Sequence, residues 1–135
     1  MSKNILFVCK HNRFRSKAAE AFFNKFNKNK EYRAMSAGLL PGEYPLDKEQ
    51  VKIAREFGIK LNGKPKPITT ELLRKIDIIV IVADDVPSEI FQSNKYGRRE
   101  EIWNIKDTVN DNAEEIREII SKIEKKIIAF VESLQ

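Results

Sequence analysis

Ile5-Leu6-Phe7-Val8-Cys9-Lys10-His11-Asn12-Arg13-Phe14-Arg15-Ser16 is the stretch that decides the fold of this chain. Its first four residues are a continuous apolar run, as expected of a parallel strand covered on both faces. From Ser16 the period changes. Ala18, Ala19, Phe22, Phe23 and Phe26 recur at three- and four-residue spacing and mark one face of a helix. The turn between strand and helix therefore carries a thiol and several basic side chains beside a helix N-terminus. The N–H groups and dipole of that terminus favour a bound anion.

Working outward, strand and helix alternate to the end of the chain. Lys and Asn close the first helix around Asn27 to Lys30, and Tyr32 to Ala37 reads as a second strand ended by Gly38. Two prolines and two glycines make Gly38 to Pro45 a loop. Asp47 and Gln50 form a capping-box pattern for the next helix, and Gly58 suits a left-handed cap at its end. Gly63-Lys64-Pro65-Lys66-Pro67 reads as a stiff surface connector, followed by a short helix capped by Thr69 or Thr70. Ile76 to Val82 is a β-branched strand, Asp84-Asp85 follow it, and Val86 to Asn94 holds a short helix. Ile102 to Ile105 is expected as the fourth strand. A final helix from about Asn112 to Leu134 is expected to be capped by Asp111 and Glu114, with Ile116, Ile119, Ile120, Ile123, Ile127, Phe130, Val131 and Leu134 inward.

Four strands joined by helical crossovers predict an α/β fold: a three-layer sandwich with a four-stranded parallel sheet between helices. In such sheets ligands bind at the carboxyl ends of the strands, near the topological switch point. That places interest after Val8, Ala37, Val82 and Ile105. The 135 residues suffice for one domain, expected over residues 1–135, with no repeat or linker.

Composition narrows the function further. The single cysteine, Cys9, excludes an internal disulfide and a cysteine-based zinc site, and the single histidine, His11, argues against a histidine metal site. No cofactor and no metal are expected. No segment approaches bilayer length, so the reading is a soluble, cytoplasmic protein with no membrane partner. The net charge is +5, but Lys and Arg are interleaved with Glu and Asp. A solvated surface explains this better than a nucleic-acid footprint.

A thiol at a helix N-terminus among cations is favoured as thiolate, the nucleophilic form. Arg15 offers a planar fork that can grip two oxygens of a tetrahedral oxyanion. The Cys-x5-Arg-Ser loop, with Asn12 inside it and Ala19-Glu20 behind it, resembles the low-molecular-weight protein tyrosine phosphatases. The thioredoxin-coupled arsenate reductases share that fold and loop. Ser36-Ala37-Gly38, the segment from Glu56 to Ile59 and on to Thr69 and Asp77, and Trp103-x-Ile-x-Asp107 extend the likeness over nearly the whole chain.

The resemblance implies the flavodoxin-like phosphatase fold and a set of roles. Cys9 would attack phosphorus and form a phosphocysteine. Arg15 and the loop amides would bind the equatorial oxygens. Asp107 would act as general acid and then base. Lys10, His11, Asn12, Arg13, Phe14 and Ser16 would complete the substrate-binding loop, Ser16 by hydrogen-bonding the Cys9 sulfur. Ser36 would support Asn12 from behind, and Asp84 or Asp85 would anchor the loop or cap the short helix. Substrates would be phosphorylated proteins or small aryl phosphates, with oxyanions such as phosphate as product or inhibitor.

Departures from the family pattern matter as well. Thr108-Val109-Asn110 replaces the proline and aromatics that usually follow the general acid, leaving Phe14, Leu40 and Tyr44 as apolar walls. Phe14 stands where some members carry a second loop cysteine, and no resolving cysteine exists. Arsenate reduction, the alternative activity, would need an external small thiol. Gly63 stands near where members often carry histidine or serine, so a network contact from a side chain there is absent.

Overall fold

A computed structural model describes residues 2–42 and 45–134. The chain runs β1 (Lys3–Cys9), α1 (Arg15–Phe26), β2 (Tyr32–Gly38), α2 (Lys48–Glu56), α3 (Thr70–Arg74) and β3 (Ile78–Ile81). A 3₁₀ turn (Ser88–Phe91), α4 (Ser93–Tyr96), β4 (Arg99–Ile102) and α5 (Ala113–Ser133) complete it. The strands form one parallel sheet in the order β2-β1-β3-β4. The chain steps from β1 to one side for β2 and then to the other for β3. The loops after β1 and β3 therefore diverge and open a crevice at the carboxyl end of β1.

Each face of the sheet owns one set of alternating side chains. Ile5, Phe7, Ile78 and Val80 face α1, α2 and α5, where Phe22, Phe23, Ile53, Ile120, Ile127 and Phe130 close the larger core. Leu6, Val8, Ile79 and Ile81 face the other way, against Leu72, Leu73 and Phe91. β1 and β3 are covered on both faces, which is why their sequences are apolar without alternation.

β3 is shorter than expected, Ile78–Ile81, and α4 runs on to Tyr96, but two boundaries differ more tellingly from the sequence expectation. β4 is Arg99–Ile102, earlier than the expected Ile102 to Ile105. As an edge strand it pairs on one side only and tolerates charged residues. Trp103 N–H still reaches the Ile81 carbonyl at 2.9 Å. Asn104 then takes the left-handed conformation, φ 47°, which ends the ladder. Trp103 and Ile105 are buried in the core instead of extending the strand. The cap of α5 also shifts by one residue. Asn112 accepts from the Glu115 N–H at 2.9 Å, while Asp111 bends back with φ 55° and accepts from Gln50 at 3.5 Å.

The caps of α2 and α3 fall as expected, on Asp47 and Thr69. The segment around Lys66 is more than a connector. Gly38 and Pro67 form a parallel bridge, with Gly38 N–H on the Lys66 carbonyl at 2.8 Å and Ile68 N–H on the Gly38 carbonyl at 3.2 Å. No helix among the described residues is long and apolar enough to cross a membrane.

Candidate active site

The loop after β1 is shaped from outside. The carbonyls of Cys9, Lys10 and His11 accept from the N–H groups of Leu39, Leu40 and Gly42 at 3.1, 2.7 and 2.7 Å. In a planar trans peptide the next N–H points the opposite way. The loop amides are thereby turned to its concave side, where the Asn12 N–H lies 3.3 Å from Cys9 Sγ. Two residues make the tight curve feasible. Asn12 adopts φ 55°, a region asparagine tolerates better than most residues. Gly38 passes so close that a Cβ would lie 2.7 Å from the Asn12 nitrogen and 2.8 Å from the His11 carbonyl carbon.

Behind the loop runs a buried chain of hydrogen bonds whose donors can be assigned. Asn12 Oδ1 accepts from the Lys66 N–H at 2.9 Å, which orients the amide. Its Nδ2 then donates to Ser16 Oγ at 2.7 Å and to Ser36 Oγ at 3.0 Å. Ser36 passes its own proton to Glu20 Oε1 at 2.6 Å. Ser16, already accepting from Asn12, has its proton left for Cys9 Sγ at 3.0 Å. Cys9, Asn12, Ser16 and Ser36 are all buried. A satisfied buried network of this kind fixes side chains in one arrangement.

Arg15 is 2% exposed and opens α1, yet its guanidinium spans the crevice. Nη1 donates to the Ile105 carbonyl at 2.9 Å. Nη2 lies 3.1 Å from Asp85 Oδ1 and 3.6 Å from Asp107 Oδ2. Asp84 is farther, 3.9 Å from Nη1. Asp85 is thus the residue that holds the arginine. Pro87 sits at the N-cap of the 3₁₀ turn, and no side chain caps that turn. A buried cation needs such partners, and three carboxylates near one guanidinium provide them.

Asp107 stands at the rim of a cleft of about 210 Å³, 39% exposed, with its Oδ1 accepting from the Thr108 N–H at 2.8 Å. Cys9, His11, Arg13, Phe14, Arg15, Asp47, Gln50, Thr108 and Asp111 line the rest. His11 is held through Nδ1 on the Leu40 carbonyl at 2.7 Å. Arg13 crosses toward the Pro45 carbonyl at 3.3 Å, and its buried Nε has no partner among the described residues. Lys10 is half-buried. Of the expected apolar walls, Phe14 is at the cleft, Leu40 is 58% exposed, and Tyr44 lies outside the described residues.

Sequence reasoning missed two supports of the loop. Glu20 anchors Ser36, and the connector supplies the Lys66 N–H to Asn12. A signal for the second was present. Prolines flank Lys66, and the residue before a proline is biased to extended backbone, which presents its N–H sideways. The support on Asn12 Oδ1 thus comes from main chain. Lys17 was also unread. It is 5% exposed and donates to the Asn62 and Lys64 carbonyls at 3.0 and 3.3 Å. Among the described residues no group of three or more His, Cys, Asp or Glu side chains could hold a metal ion.

A sequence model of the low molecular weight phosphotyrosine protein phosphatase family matches residues 4–135. Solved structures with the same fold include a low molecular weight protein tyrosine phosphatase from T. tengcongensis, 24% identical, with 98% of this chain and 99% of that chain covered and a TM-score of 0.77. An arsenate reductase from Archaeoglobus fulgidus is 26% identical over 95% of this chain and 98% of that one, with a TM-score of 0.74. The YwlE arginine phosphatase from Geobacillus stearothermophilus is 23% identical over 98% and 93%, with a TM-score of 0.81.

Proposed function

The chain belongs to the low molecular weight phosphotyrosine protein phosphatase family, and from that premise we propose that it is a metal-independent phosphomonoesterase working through a phosphocysteine on Cys9. The observation that carries this is the Ser16 hydroxyl, 3.0 Å from Cys9 Sγ and committed to it by the Asn12 amide. A thiolate attacks phosphorus, and the bond from phosphorus to the leaving oxygen breaks. Asp107 gives that oxygen a proton. Water then attacks the phosphocysteine, Asp107 takes the proton, and the sulfur departs as a thiolate stabilised by Ser16. Arg15 and the loop amides balance the charge on the equatorial oxygens throughout. Lys10, His11, Arg13 and Phe14 border the substrate.

Residues 1–135 act as one catalytic unit in this reading. We place the activity in the cytoplasm, where a lone thiol stays reduced. Substrates are phosphorylated proteins or small phosphate esters, and free phosphate competes. In a chelator, wild type hydrolyses p-nitrophenyl phosphate, Cys9→Ser is inactive, and Asp107→Asn loses about 10²- to 10⁴-fold in kcat. Full activity in Cys9→Ser would overturn the proposal.

The likeness to the Archaeoglobus fulgidus arsenate reductase favours a second activity on the same loop. With no second cysteine in the chain, two external thiols would supply the electrons, ending as a disulfide while arsenate becomes arsenite. Arsenite formed above the protein-free control in the presence of a small thiol would support it. None formed would dismiss it.

A further inference from the structure

We propose that Lys17 is a positioning residue for Cys9, acting as a buried strap that holds the 62–66 segment so that its main chain fixes Asn12. The proposal rests on reading Cys9 as the attacking thiolate. Lys17 sits where two general preferences oppose it. Lysine is almost never fully buried without a partner, and a cation in the first turn of a helix meets an unfavourable dipole. The first turn of α1 carries no acidic residue to offset it. Burial pushes the Lys17 pKa down, Glu20 pulls it back up, Lys66 adds to the lowering, and Cys9 again raises it.

What the ammonium gains is specific. It ties the carbonyls of Asn62 and Lys64, on either side of Gly63, at 3.0 and 3.3 Å. Gly63 has φ +83° and presents bare backbone, and a Cβ there would lie 3.6 Å from the lysine nitrogen. Two residues on, the Lys66 N–H meets Asn12 Oδ1 at 2.9 Å and the Lys66 carbonyl accepts from Gly38 at 2.8 Å. The route from Lys17 therefore passes through the connector to Asn12, then to Ser16, then to sulfur. It begins and ends on neighbouring turns of one helix and loop, so a slack connector frees the Asn12 amide and with it the Ser16 proton. The positive charge of Lys17 adds to the effect, because it interacts favourably with a negative charge on Cys9.

Because Cys9 is the only cysteine, alkylation by iodoacetamide reads this thiolate alone and needs no substrate. In Lys17→Met the pH midpoint of alkylation should rise by about one unit, which slows the reaction roughly tenfold at pH values below both midpoints. His11, Arg13, Arg15, Asp47, Asp107 and Asp111 in the cleft with Cys9, Asp84 and Asp85 against Arg15, and Glu20 and Lys66 near Lys17 are the same in both proteins, so the change belongs to Lys17. Lys17→Met added to Asn12→Ala should change the alkylation rate by less than about twofold beyond Asn12→Ala alone, because linked residues are not additive. An unchanged midpoint in folded Lys17→Met, or fully additive losses, would overturn the proposal. Lys17→Gln keeps a donor and answers the same question if the methionine variant does not fold. Failure of both to fold would also overturn it, since Lys17 would then serve global stability. A midpoint shift in a protein whose wild type hydrolyses no phosphate ester would keep the Lys17 strap and discard the phosphatase reading.

Discussion

Ser16 carries one proton, and the amide of Asn12 decides where it goes. Nδ2 occupies the Ser16 acceptor side at 2.7 Å, which leaves the hydroxyl to face Cys9 Sγ. In the proposed cycle that bond matters most when sulfur leaves the phosphocysteine as a thiolate. A hydrogen bond to a charged group contributes about 1.5–3 kcal/mol, so Ser16→Ala should slow breakdown of the intermediate by roughly ten- to a hundredfold. Rapid-mixing kinetics with p-nitrophenyl phosphate should then show a burst of nitrophenol followed by a slow phase. Equal slowing of the burst and the later phase would assign Ser16 to loop shape alone. Cys9, Arg15, Asn12 and Ser16 were legible in the sequence because their spacing and the strand-to-helix turn carry the chemistry. The partner of Arg15 was not. Asp84 and Asp85 are adjacent in sequence, and only the path of the chain after β3 brings Asp85 to 3.1 Å.

The start of α5 shows the same contrast at the level of an element. Its long apolar stripe announced the helix, but Asp111-x-x-Glu114 and Asn112-x-x-Glu115 are overlapping caps of equal appearance. The left-handed turn at Asp111 selects the second. Glu115 then folds back to accept from the N–H groups of Val109, Asn110 and Asp111 at 3.0, 3.0 and 2.8 Å. Those bonds, the one from Val109 first, hold its carboxyl below the ordinary glutamate value of 4.5. A depressed carboxylate stabilises the fold above the unfolded-state pKa and loses that contribution as pH falls through the folded-state pKa. The urea midpoint of wild type should therefore exceed that of Glu115→Gln at neutral pH. The gap should close on acidification below about pH 4.5. A constant gap from neutral to acid pH would contradict this role. β4 was misplaced for a related reason. An edge strand with charged residues has little periodic signal, whereas Trp103 and Ile105 looked strand-like and belong to the core.

At the scale of the whole molecule, one strand links the core to the chemistry. Phe7 lies two residues before Cys9 on β1 and is fully buried. Its ring meets Phe23, Trp103 and Phe130 at centroid distances of 5.8, 6.1 and 6.1 Å. It thus joins α1, whose first residue is Arg15, to α5 and to the segment after β4 that leads to Asp107. Phe7→Ala should cost about 3–5 kcal/mol, read as a lower urea midpoint followed by Trp103 fluorescence. A loss under about 1 kcal/mol would mean that the core collapses around the gap more easily than this packing implies. The centre of the layered sheet was legible, since β1 and β3 are apolar on both faces. The crevice could be placed from topology, whereas the connector that braces it left only the indirect signal of the prolines around Lys66, because its contribution is made by main chain. The claim on which the functional account turns is the covalent intermediate. Acid-quenched mixing of Asp107→Asn with p-nitrophenyl phosphate, followed by mass spectrometry of the Cys9 peptide, tests it directly. The account predicts one phosphoryl group on Cys9 during turnover and none in Cys9→Ser. Turnover of the ester with an unmodified Cys9 peptide at every time point would contradict it.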